Sequence, residues 1–212
     1  MSSERRPSAE FIRKFHDKTV TATDSSLERA LRIVPGNENR AGELPALLHR
    51  YGNQNFTFFG GTPFHEIREI VRCLNPQPDE LFCDAGAGYG HVVLYGACVA
   101  PCRFRAIEIL PVRCTAMLRS TQRLGLNNVE VVEGDALTQN YDDVSYLLLN
   151  NPFFPDVAAQ FIGRLKKSCN GLLTVIAMNN IVDAFREDGS FTEIDVDVDI
   201  PNYRFGVFRW TG

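Results

Sequence analysis

The stretch Leu81-Phe82-Cys83-Asp84-Ala85-Gly86-Ala87-Gly88-Tyr89-Gly90-His91-Val92-Val93-Leu94 constrains the fold more than any other part of the chain. Its first residues form a short apolar run of the kind a buried parallel strand needs. Three glycines at alternate positions follow. A second apolar run, His91 to Val99, then has the length of a short helix and stops before Pro101. A strand that feeds a helix through such a turn gathers backbone N–H groups and the positive helix end at one point, where nucleotide-like ligands dock in doubly wound sheets. Glycine suits the turn because a Cβ would hold a ligand off the backbone and disfavour positive φ. A tight turn with no ligand would read the same way, so the rest of the chain has to decide.

Asp84 sorts the ligands. A dinucleotide fingerprint spaces its glycines G-x-G-x-x-G and seats a pyrophosphate on the helix end. Here the pattern is D-x-G-x-G-x-G, with Gly86, Gly88 and Gly90 behind a carboxylate at the strand tip. That carboxylate would repel a pyrophosphate and attract a cation. S-adenosylmethionine carries a sulfonium and an α-ammonium and no phosphate, so it fits, and the motif resembles the first motif of class I methyltransferases. His91, next in line, is a candidate for the cofactor's carboxylate or simply the first residue of its helix.

Downstream, strand and helix patterns alternate. Strands are expected at Leu81–Asp84, Phe104–Ile109, Val129–Glu133, Val144–Asn150 and Gly171–Met178. Helices are expected at His91–Val99, Val112–Leu124 and Asp156–Lys167, the second closed by Gly125. Upstream, Thr62 and Pro63 read as the N-cap and first residue of a helix with Phe64, Ile67, Val71 and Leu74 on its buried face. The tail from Phe191 to Ile200 ends in strict alternation, its Asp195, Asp197 and Asp199 on a solvated face, and Tyr203–Trp210 follows as its hairpin partner. The expected fold is therefore α/β, a doubly wound, mostly parallel seven-stranded sheet with a C-terminal antiparallel hairpin. Residues 59–212 would form this domain. Residues 1–58 would form a helical extension, with candidate helices at Ser8–Lys18, Ser26–Val34 and Leu44–Tyr51, serving either as a lid over the ligand mouth or as an arm for stability or oligomerisation.

A chain of 212 residues has room for one buried domain and such an extension. A net charge of −4 disfavours nucleic acid as a general partner and suits a basic protein surface better. No apolar run is long enough for a membrane span and the N-terminus has no signal-peptide core, so a cytoplasmic location is expected. Of six cysteines, only Cys98 and Cys102 have metal-like spacing, and no second Cys/His pair answers them, so no metal is expected.

Two more acids end strands. Glu108 lies 24 residues beyond Asp84, where a carboxylate takes ribose hydroxyls in adenosine-binding sheets, with an ion pair to a nearby arginine as the alternative. Asp135 could accept from an adenine amino group or cap a helix. The fourth strand ends in Asn150-Asn151-Pro152-Phe153-Phe154. Carboxamides there could orient an attacking amine without protonating it, and Phe153 and Phe154 could wall a substrate channel; an Asn–Pro turn capping the next helix is the plainer reading.

Together these residues resemble the class I, seven-strand S-adenosylmethionine-dependent methyltransferases. Within them, Gly60-Gly61-Thr62, Asp84 to Leu94, Gly134-Asp135 and Asn150 to Asp156 resemble the non-SET histone lysine methyltransferases of the disruptor-of-telomeric-silencing type. The resemblance runs from about Phe59 to Lys167. It implies that Asp84, Gly86, Glu108 and Asp135 bind the cofactor, that Ala136 takes the place of an aromatic beside adenine, and that Asn150 and Thr62 flank a lysine channel. Gly61 stands where that family has an acid, and Pro152 where it has a phenylalanine. Asn151-Pro152-Phe153-Phe154 also approaches the N-P-P-[YF] motif of methyltransferases acting on nucleobase or glutamine amino groups. Protein lysine methylation is the first expectation; a nucleobase, a glutamine or a small molecule is the second. A non-catalytic adenosyl-ligand or NAD-binding module is the third.

Overall fold

The computed structural model describes residues 5–36, 61–169, 171–198, 200, 201 and 203–212. Seven strands make one sheet: β1 (Leu81–Ala85), β2 (Arg103–Glu108), β3 (Val129–Glu133), β4 (Tyr146–Asn150), β5 (Leu173–Met178), β6 (Thr192–Ile194) and β7 (Phe205–Trp210). Their order across the sheet is β3-β2-β1-β4-β5-β7-β6. The first five run parallel, and β7 pairs antiparallel with both β5 and β6. This is the expected doubly wound sheet with its antiparallel end. All five residues of β1 are buried, as a central parallel strand covered on both faces requires.

Helices cover the sheet on both sides. Phe82, Phe104, Leu148 and Ile176 face one core with residues of α1 (Arg5–His16), α2 (Asp24–Ala30), α3 (Phe64–Leu74), α4 (His91–Val99) and α5 (Pro111–Leu124). Cys83, Leu147, Leu149 and Val175 face the other, against α6 (Pro155–Ser168) and α7 (Ile181–Asp188). Neighbouring strand residues thus point to opposite cores, the period-2 rule of a pleated strand. Ile12, Phe15, Leu27 and Leu31 of the N-terminal segment belong to the first core and are fully or nearly fully buried. The expected helix Leu44–Tyr51 and the boundary at residues 58–59 lie outside the described residues.

Three local readings need correction. Thr62 does not cap α3. Pro63 occupies the cap position without a side-chain bond, and the Phe64 N–H donates instead to Asp24 Oδ1 at 3.2 Å, from α2. The second concerns α7, for which no element was expected; Ile181, Val182 and Phe185 make its buried face, and Gly189 (φ 68°) closes it. The third is the tail strand, expected along Phe191–Ile200, which pairs only over Thr192–Ile194. Beyond Ile194 the alternation continues as burial without a ladder: Val196 and Val198 are half-buried while Asp195 and Asp197 are exposed. Period 2 reports a half-buried extended chain, and pairing is a separate condition. Asp199 lies outside the described residues.

α3 buries one group at a cost. Glu66 is 0 % exposed, and neither carboxylate oxygen accepts a hydrogen bond among the described residues. One of the Glu66 oxygens lies 3.5 Å from His65 Nε2. Burial, helped by Asp24, pushes its pKa up to about 7. Because the folded value is raised, the folded protein binds more protons than the unfolded chain between about pH 4.5 and 7, and stability falls as pH rises through that window. Glu66→Met, which removes the unpaired carboxylate and keeps the side-chain length, should raise Tm at pH 8 by about 3 °C and leave it unchanged near pH 4. Differential scanning calorimetry at the two pH values checks this.

Candidate active site

The carboxyl ends of β1, β2 and β4 open into a cavity of about 330 Å³. The glycine turn that follows β1 is tied to β2. The Gly86 and Ala87 N–H groups donate to Ile107 O at 2.9 and 3.0 Å, and Gly88 N–H donates to Glu108 Oε2 at 2.8 Å. Gly86 has φ 86°, and a Cβ there would lie 2.8 Å from Pro152 Cβ. The turn and the loop after β4 therefore touch through a glycine, which brings Asn150 and Asn151 to the ligand mouth.

Asp84, Glu108, Gly86, Gly88, His91 and Ala136 all line this cavity. Asp84 is 4 % exposed and Glu108 3 %. Burial, and then the neighbouring Glu108 charge, push Asp84 up to about 7. Burial likewise raises Glu108, opposed by Arg113 and by the N–H groups of Leu110, Gly88 and Ile109. Each Glu108 oxygen already accepts one backbone N–H, from Gly88 and from Leu110 (2.9 Å), and Arg113 stands 3.8 Å away. A carboxylate is acceptor-only, with about four acceptor sites to share among these groups and a ligand. Two buried carboxylates this close favour a ligand that brings positive charge and O–H donors.

Three of the candidate residues do not line the cavity. The Asp135 carboxylate accepts from Leu137 N–H at 2.8 Å and caps the short 3-10 helix Ala136–Thr138, which is the capping alternative. Gly90 (φ 82°) precedes α4, and a Cβ there would lie 2.8 Å from the Met117 side chain, so its place is between α4 and α5. Phe154 is 41 % exposed at the start of α6, whereas Phe153 is buried on Phe161, ring centroids 4.8 Å apart. His91 Nε2 is 3.1 Å from Glu28 Oε1 of α2, and its ring packs on Phe64.

The opposite wall is made of amides. Asn179 Nδ2 donates to Asn150 Oδ1 and Asn150 Nδ2 donates to Thr62 Oγ1, both at 2.8 Å. Asn151 (φ 58°) and Asn179 (φ 64°) adopt the left-handed conformation that asparagine tolerates better than most residues. Sequence reasoning placed Thr62, Asn150, Asn151 and Phe153 here, offered Arg113 only as one of three arginines that could pair with Glu108, and missed Asn179 and Tyr203, which also line the cavity. Asn179-Asn180 after β5 repeats the paired amides after β4, and that repetition was the available signal for Asn179. Among the described residues no group of three or more His, Cys, Asp or Glu is placed to hold a metal ion, and no helix is long and apolar enough to cross a membrane.

No protein-family model and no curated protein matches the sequence. Solved structures do match in fold. An RNA methyltransferase from Salinibacter ruber in complex with S-adenosyl-L-homocysteine has a TM-score of 0.58 at 19% identity, over 72% of this chain and 93% of that one. A SAM-dependent methyltransferase from Aquifex aeolicus has a TM-score of 0.55 at 16% identity, over 68% and 88%. The B. subtilis M1A22 tRNA methyltransferase TrmK has a TM-score of 0.56 at 14% identity, over 69% and 65%. The architecture is thus the Rossmann-like methyltransferase fold, and at these identities the likeness is one of fold.

Proposed function

We propose that the chain is an S-adenosylmethionine-dependent methyltransferase acting on an amino group, with a protein lysine side chain as acceptor. The observation that carries this is the cavity itself, with two buried, crowded carboxylates on one wall and a chain of uncharged amides on the other. The residues fit the cofactor. Asp84 would hold its ammonium group, Glu108 would accept from the two ribose hydroxyls, and Ala136 would lie along the base. When bound, S-adenosylmethionine supplies a methyl group on positively charged sulfur. Asn150, oriented by Asn179 and Thr62, would hold the acceptor nitrogen in line. Phe153 and the glycine turn would exclude water, and exclusion of water lowers an amine's pKa and leaves it neutral to attack. The contact of Glu28 with His91 supports a closing role for the N-terminal segment.

A second reading is a nucleobase or small-molecule amine. It is favoured by the Salinibacter and Bacillus neighbours, whose names specify RNA and tRNA methylation. The test has two arms. Thermal shift should show stabilisation by S-adenosylmethionine and none by NAD; the reverse would end the methyltransferase reading. Tritiated methyl transfer into cell lysate should then give label lost on protease digestion. Label lost only on nuclease digestion, or label confined to small molecules, would end the lysine reading.

A further inference from the structure

A second cavity, of about 360 Å³, lies on the other side of the first turn of α5. Arg113 faces the first cavity, while Pro111 and Val112 line the second. The second cavity carries Arg32, Arg119 and Arg123 and no acidic residue. All three arginines are exposed, and none makes an ion pair among the described residues. In a chain of net charge −4, such a local excess of positive charge runs against the composition. The rest of the lining is mainly apolar, from Val34, Pro111 and Val112 among others, with Thr115 and Ser120 adding hydroxyls, and Val34 is 59 % exposed.

Arg32 is the telling residue. It follows the C-cap of α2 with φ 58°, and the Ile33 N–H closes back on Glu28 O at 2.9 Å. This is a helix stop at which glycine is the favoured residue, because a Cβ is strained in the left-handed region. The Arg32 carbonyl accepts from the buried Ser120 Oγ at 2.7 Å, which fixes the strained residue over α5. Strain of this kind persists where neighbouring contacts hold the backbone in place, as the Ser120 and Glu28 bonds do here. Arg119 and Arg123 are four apart on α5 and therefore share a face.

We infer that this arginine-lined groove between the end of α2 and α5 is a docking surface for single-stranded nucleic acid, the guanidinium groups taking phosphates and the apolar floor taking a base or sugar. Planar guanidinium forks match phosphate oxygens, and a positively charged groove that tracks the backbone is the sequence-independent part of single-strand binding. The groove lies outside the catalytic cavity, and the inference holds whichever amine is methylated.

The test uses the full chain without cofactor and a fluorescein-labelled oligouridylate of about 12 nucleotides, enough to cross one groove. Anisotropy titrations should give binding whose log K falls with log[salt] at a slope of about −2, the value for three phosphates on a single strand. Arg119→Glu with Arg123→Glu should weaken binding at least tenfold and flatten the slope. Arg32→Gly should weaken binding too while leaving Tm unchanged or higher, a combination that loss of fold cannot produce. Stabilisation by S-adenosylmethionine should be unaltered in all variants. No binding at low salt, or variants that bind with the wild-type slope, would overturn the inference. Equal displacement by polyglutamate at matched charge would also overturn it, pointing to an acidic polypeptide.

Discussion

Asp84→Asn is expected to lower affinity for S-adenosylmethionine about a hundredfold and, at the same time, to stabilise the ligand-free protein. The first effect follows from losing a buried carboxylate opposite an ammonium group, a charge-assisted bond of about 2–3 kcal/mol, with tenfold in affinity for each 1.4 kcal/mol. The second follows from the raised pKa. The Asp84 carboxyl sits near 7 in the folded protein, above its ordinary value of 3.8. Between those values the folded state binds the extra proton, so stability is present at low pH and is lost as pH rises toward 7. Asparagine removes that loss, and Tm at pH 8 should rise by several degrees. The same titration governs binding in the wild type. A cation binds the ionised form, so affinity should increase about tenfold from about pH 6 to about pH 8 and level off above. Calorimetric titration at several pH values checks both. Affinity that is flat with pH, or an Asp84→Asn variant that binds normally, would remove Asp84 from the site.

Asn150→Ala should lower kcat about a hundredfold while leaving the affinity for S-adenosylmethionine within about twofold of wild type. Asn150 is the middle of the chain from Asn179 to Thr62, with its carbonyl and its amino group each committed to one neighbour. That commitment fixes which end of the amide faces the cavity. Removing it leaves the acceptor nitrogen without a fixed partner, and loose positioning of reacting atoms costs on the order of 10²-fold. It also strands the Asn179 N–H and Thr62 hydroxyl, at about 1–2 kcal/mol of stability. Asn179→Ala should reproduce part of the kcat loss, because Asn150 would then be free to turn over. A fall in cofactor affinity equal to the fall in kcat would show that Asn150 holds the cofactor and not the acceptor. Single-turnover kinetics beside equilibrium binding makes the distinction.

The features that were legible in sequence are those set by local periodicity. The five parallel strands announce themselves as short apolar runs, and the D-x-G-x-G-x-G turn locates Asp84 and the mouth of the sheet. Glu108 was legible because it ends the next strand. What failed were the partners chosen by tertiary contact. Thr62 followed by proline is a sound capping signal, yet its hydroxyl is taken by Asn150, 88 residues away, and Asp24 supplies the cap in its place. Asp135 had two uses open; its carboxylate accepts from the Leu137 N–H two residues on, which is the capping one. His91 meets Glu28 across 63 residues of sequence, a pairing no local pattern encodes. α7 escaped because its eight residues offer only about two turns of periodicity.

The placement of β7 bears on how the molecule is made. β7 follows β6 along the chain, yet it sits inside the sheet, between β5 and β6. Until Phe205–Trp210 has left the ribosome, Thr192–Ile194 has no neighbour and one side of β5 presents bare N–H and C=O groups. The nascent protein thus passes through a stage with an open, sticky margin beside its finished parallel half, a stage that invites pairing with other chains and the attention of chaperones.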